Sequence, residues 1–79
     1  MSNRYSRAVL VLLRRNDVSG MIDEDIRWLG RDSAAVFLYG FVRAYVSLMP
    51  RRAGYIALHE LSYVDWEWVA GELIRDRIR

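Results

Sequence analysis

The chain has 79 residues, 53% of them hydrophobic, with a formal net charge of +2 at pH 7 and no cysteine. So large an apolar load excludes a disordered chain, the lack of cysteine excludes a disulfide framework and a thiolate metal site, and the one histidine, His59, cannot hold zinc without several carboxylates. Length therefore bounds the chain to one domain, residues 1–79, that buries only about 60–65% of the surface its unfolded form exposes and has no covalent staple. Some of the apolar surface is expected to be buried between chains in a two-fold homodimer. All twelve basic residues are arginine, and lysine, glutamine and threonine are absent, a usage expected of a GC-rich bacterial or phage genome. The apolar run 8–13 is too short for a secretory signal and cysteine is missing, so a cytoplasmic location is expected.

In chain order, residues 4–15 form the first amphipathic element. At 100° per residue Tyr5, Ala8, Val9, Leu12 and Leu13 share one face, and Arg4, Arg7, Arg14 and Arg15 gather opposite with Val11 among them. The same run also reads as a strand on β propensity; helix is favoured. Residues 16–20 read as turn punctuation. A second helix spans 21–29, with Asp23, Glu24 and Asp25 at its N-terminus and Gly30 closing it. Asp32 or Ser33 caps the next helix, which runs to Met49 before Pro50.

On that helix Phe37, Leu38, Phe41, Val42, Tyr45, Val46, Leu48 and Met49 sweep half the circumference, while Ser33, Gly40, Ala44 and Ser47 make a narrow seam of small residues behind them. Both sides are expected to meet neighbours, with Phe37, Phe41 and Tyr45 at a dimer interface. Residues 51–61 place Tyr55, Leu58 and Leu61 at helical spacing, and 55–61 also reads as a strand; helix is again favoured. For the last helix, 62–77, Ser62 is the expected N-cap, Asp65 stands at the capping-box position, and Leu61 and Trp66 are spaced as a hydrophobic staple. Trp66, Val69, Ala70, Leu73 and Ile74 share its core face. The expected fold is all-α: four or five helices around the apolar helix 34–49.

Chemistry-bearing patterns are absent. Ser62, His59 and Glu60 cannot form a triad, because neighbouring positions on a helix do not face one another and no nucleophile elbow surrounds a serine. The acidic cluster 23–25 reads as helix capping in preference to a Mg²⁺ site. Glycines 20, 30, 40, 54 and 71 are isolated and make no phosphate loop. Ile26, Gly30 and Val36 resemble helix-turn-helix spacing, yet the outward positions Asp32, Ser33, Ala34, Phe37 and Leu38 offer no base-reading donors. Residues 34–49, interrupted by Arg43, are too short to span a bilayer. No enzyme activity, metal or cofactor is expected.

What remains is binding. Arg4, Arg7, Arg14 and Arg15 can meet phosphates or an acidic protein surface at several points, and Val11 within them suits a protein interface. Trp68, placed opposite the core face beside Glu72, Arg75 and Arg79, has the composition of an interface hot spot. Arg43 is expected to pair with Glu60 or Asp65. The sequence thus points to a non-catalytic protein-binding module, in the form of a phage or mobile-element inhibitor that occupies a host protein. Its alternatives are a basic nucleic-acid-binding regulator using the arginine stripe and a structural subunit of a larger complex.

Overall fold

Asn3 opens the first helix by accepting the Ser6 N–H on its side-chain oxygen at 2.8 Å, which satisfies one of the donors a helix start leaves unpaired. In the computed structural model, which describes residues 3–54 and 56–78, α1 runs Arg4–Arg14. It buries Ser6, Val9, Leu10, Leu12 and Leu13. Ala8, assigned to the core face above, is exposed instead, and Leu10 takes its place.

The second helix starts five residues earlier than the punctuation suggests. α2 spans Asn16–Arg27 with Arg15 as its N-cap, and Gly20 lies inside it. Val18, Ile22 and Ile26, at i, i+4 and i+8, are almost wholly buried, and this stripe outweighs the weak helix preference of Asn, Asp, Ser and Gly. Asp17 occupies the acidic first turn, so Asp23, Glu24 and Asp25 are mid-helix residues and cap nothing.

α3 runs Arg31–Leu48 from an N-cap at Gly30 that makes no side-chain hydrogen bond; Asp32 and Ser33 sit within the helix. It buries Ala34, Ala35, Leu38, Val42, Tyr45 and Val46. The apolar sweep is narrower than half the circumference, because Leu48 is 78% exposed. Residues 50–54 form turns that place Gly54 at φ +73°, a conformation that favours glycine, and a 3₁₀ helix follows at Leu58–Tyr63. The helix expected over 51–61 is thus replaced by a turn and a short 3₁₀ segment, and Tyr55 lies outside the described residues.

α4 runs Trp66–Ile78. Asp65, not Ser62, starts it: Oδ1 of Asp65 accepts the Trp68 N–H at 3.1 Å, while the Ser62 hydroxyl donates to the His59 carbonyl. α4 packs on α1, α2 and α3 and is the hub of the bundle. Two polar links secure it. The buried Ser6 hydroxyl accepts the Asp65 N–H at 2.8 Å, and Arg31 lies against Gly71 and donates through Nε to the Glu67 carbonyl at 3.0 Å. The Cα radius of gyration, 11.4 Å, matches the value of about 11.6 Å for a compact domain of this length. The described residues contain helices and no strand, and no helix among them is long and apolar enough to cross a membrane.

Candidate protein-binding surface

The outward face of α1 borders a groove of about 660 Å³. Buried Val9, Leu12, Leu61, Val64 and Ala53 make its floor. One wall is α1 through Arg4, Tyr5, Ala8, Val11 and Arg15; the other is Gly54, Ile56 and Glu60. Val11, at the lip, is 66% exposed. The walls are tied together at one end, where the Asn3 amide donates to the Tyr63 carbonyl at 2.9 Å and the rings of Tyr5 and Tyr63 lie 5.2 Å apart. At the other end Arg15 donates to the Arg52 carbonyl. Glu60 accepts the Ala57 N–H at 3.0 Å, which fixes the start of the 3₁₀ segment.

The arginine stripe divides into paired and available members. Arg14 makes a two-pronged contact with Asp76 at 2.9 and 3.0 Å and also lies 3.8 Å from Glu72. Its hydrogen bonds to Asp76 raise its pKa further above the ordinary arginine value. Arg15 grips Asp17 with two bonds of 3.2 and 2.8 Å, and that contact holds the Asp17 carboxyl below the usual carboxylate range. Arg4 folds over the Tyr5 ring, 4.9 Å from its centroid, and donates to the Tyr5 hydroxyl. Arg7 is exposed and has no ion pair or side-chain hydrogen bond among the described residues. The stripe therefore leaves Arg4 and Arg7 without an ion pair among the described residues, while Arg14 and Arg15 pair with Asp76 of α4 and Asp17 of α2.

In the second predicted cluster, Trp68 is less exposed than expected. Trp68 is half-buried and packed against the core, because α4 is surrounded by three helices and has no wholly free face. Arg75 pairs at 3.5 Å with Glu72, and Arg79 lies outside the described residues. Trp66 is also half-buried; it donates from Nε1 to the Leu61 carbonyl at 3.2 Å and meets Tyr39 edge to face at 5.5 Å. Tyr45, assigned to a dimer interface, is 4% exposed and belongs to the core of the single chain. Phe37 and Phe41 lead to it as a stack with centroid separations of 6.3 and 6.0 Å and are themselves packed on the core. Arg43 meets neither Glu60 nor Asp65, whose carboxylates accept backbone N–H groups instead.

The exposed tryptophan is Trp28, at 76%, a residue the sequence reading did not single out. Its signal was the stripe Val18, Ile22, Ile26: once those define the buried side of α2, Trp28 and the half-exposed Met21 fall outside it. No group of three His, Asp or Glu side chains among the described residues is arranged to hold a metal ion. Comparison with protein-family models, with curated proteins and with solved structures gives no match.

Proposed function

We propose that this chain is a non-catalytic protein-binding module whose docking surface is the groove between α1 and residues 53–64. The observation that carries the reading is Val11: a branched apolar side chain stands 66% exposed at the lip of an apolar groove, with arginine on either side of it along the helix. Apolar floor and cationic rim suit a segment of another protein that inserts one or two apolar side chains and sets a carboxylate against Arg4 or Arg7. A small domain of this kind acts by occupying its partner's surface, as a stoichiometric inhibitor of a host protein does. A nucleic-acid backbone would draw on several free guanidiniums along one face, and two of the four arginines are already neutralised by Asp17 and Asp76.

The test is selection from a displayed library of random twelve-residue peptides. The expected consensus joins large apolar side chains to an acidic residue, and titration into ¹⁵N-labelled protein shifts the amides of Ala8, Val11, Ile56 and Leu61. Val11→Asp and Arg7→Glu, both at exposed positions, should abolish and weaken binding respectively with the fold intact. Peptides that bind Val11→Asp as well as the parent, or shifts that map away from the groove, would refute the reading.

A further inference from the structure

We propose that a second copy of this chain covers the outer face of α3, packed antiparallel about a two-fold axis that passes between Val36 and Gly40. The face carries only two charges, Asp32 and Arg43. Solvent-facing sides of α1 and α2 carry Arg4, Arg7, Glu24, Asp25 and Arg27, as an amphipathic helix in water should. From Ser33 to Leu48 the only charged residue is Arg43, and the middle of the solvent side holds Val36 at 74% exposure, while Tyr39 at 40% and Leu48 at 78% lie on its opposite edges, Tyr39 against Trp66. A helix side with so few charges and an apolar residue standing out at its middle is the pattern of a surface that another chain buries.

The charges at its two ends identify that chain. Asp32 and Arg43 lie on one side of α3 about three turns, or roughly 16.5 Å, apart. Among the described residues neither has an ion-pair or side-chain hydrogen-bond partner. Two copies of α3 laid antiparallel in register bring Asp32 of each opposite Arg43 of the other, forming two reciprocal pairs. The same register sets Val36 of one copy over Gly40 of its mate. A Cβ at Gly40 would meet nothing within 4 Å, so a glycine there is not required by the single chain, and its missing side chain leaves the hollow that the mate's Val36 fills. Such self-complementarity is what a two-fold interface demands, since one patch must serve both sides. This interface is separate from the groove on α1 and from the inward stack of Phe37, Phe41 and Tyr45.

A pair of helices of this length buries roughly 1,000 Å² in total, the lower limit of specific interfaces, so a dissociation constant on the order of 10–100 µM is expected by sedimentation equilibrium. Asp32→Arg alone and Arg43→Asp alone each place like charges opposite one another twice and should weaken the homodimer at least about tenfold. Mixed in equal amounts, the two variants regain both pairs and should form a heterodimer with about the parent affinity, whereas a parallel pairing sets like charges together already in the parent and would not be weakened by either change alone. Gly40→Gln should leave helicity intact and also abolish the dimer, while Val11→Asp should leave it unchanged. A parent chain still monomeric at about 300 µM, where an interface of this size should be populated, would overturn the proposal. So would a dimer indifferent to the charge reversals, which would put the contact on another face.

Discussion

The buried hydroxyl of Ser6 allows the sharpest test of how the fold is held. Ser6 is fully buried on α1, and its Oγ accepts the Asp65 N–H at 2.8 Å, at the entry to α4. Ser6→Ala removes the buried acceptor of that part-buried hydrogen bond, at a cost of about 1–3 kcal/mol. Alanine returns about 0.5 kcal/mol through its better helix propensity. The balance is a loss of about 0.5–2.5 kcal/mol, and at about 4–8 °C per kcal/mol for a domain of this size the middle of that range lowers Tm by roughly 6–12 °C. Urea melts followed by circular dichroism at 222 nm read the difference directly, with the exposed Ser33→Ala as a control that should stay within about 0.5 kcal/mol. If Ser6→Ala unfolds at the parent's midpoint, the hydroxyl bond does not secure α4 and the account of the hub fails.

Three further outcomes follow from burial and pairing. Gly20 lies inside α2 with open space where a Cβ would point, so Gly20→Ala should stabilise by about 0.5–1 kcal/mol in the same melts. Trp68→Ala should destabilise by about 2 kcal/mol, because half of a large ring is packed on the core, whereas Trp28→Ala should stay within about 0.5 kcal/mol and should remove the emission most readily quenched by acrylamide. Asp17 has a folded-state pKa lowered by its bonds to Arg15, so its contribution is present in full above the unfolded carboxylate value and is lost as pH falls through the lower folded value; the stability gap between the parent and Asp17→Asn should therefore close as pH drops below about 4.

Where helix signals were strong, sequence and structure agree: residues 4–14 and the stretch ending before Pro50 are helices, and Val9, Leu12 and Leu13 of the first wheel and Val69, Ala70 and Leu73 of the last are buried, though Ala8 is not. The misreadings have one physical origin, the precedence of tertiary burial over local propensity. Asn16, Asp17, Ser19 and Gly20 prefer turns, but Val18 placed among them is buried completely and draws them into α2. Trp68 sat on the polar side of a wheel drawn for a helix with one covered face, and α4 is covered on more than one. Ser6 was invisible as a structural residue because its partner, Asp65, is fifty-nine positions away. Of the arginine stripe, sequence gave the composition, but which guanidiniums were free depended on Asp76 arriving from α4.

That last dependence bears on function. A helix-wheel count of four arginines on one face argues for a polyanion, since each free guanidinium adds a phosphate contact and steepens the salt dependence of binding. Once Arg14 is held by Asp76 and Arg15 by Asp17, the same face offers two cations, Arg4 and Arg7, one to two turns ahead of exposed Val11, next to an apolar groove. Two cations cannot supply the affinity that a nucleic-acid backbone draws from many, whereas the proposed peptide would take its binding energy from the apolar side chains it buries and only its orientation from the cations. By withdrawing two arginines into ion pairs within the fold, Asp76 and Asp17 leave a mainly apolar groove with a basic edge, which is the ground for proposing a peptide in preference to a polyanion.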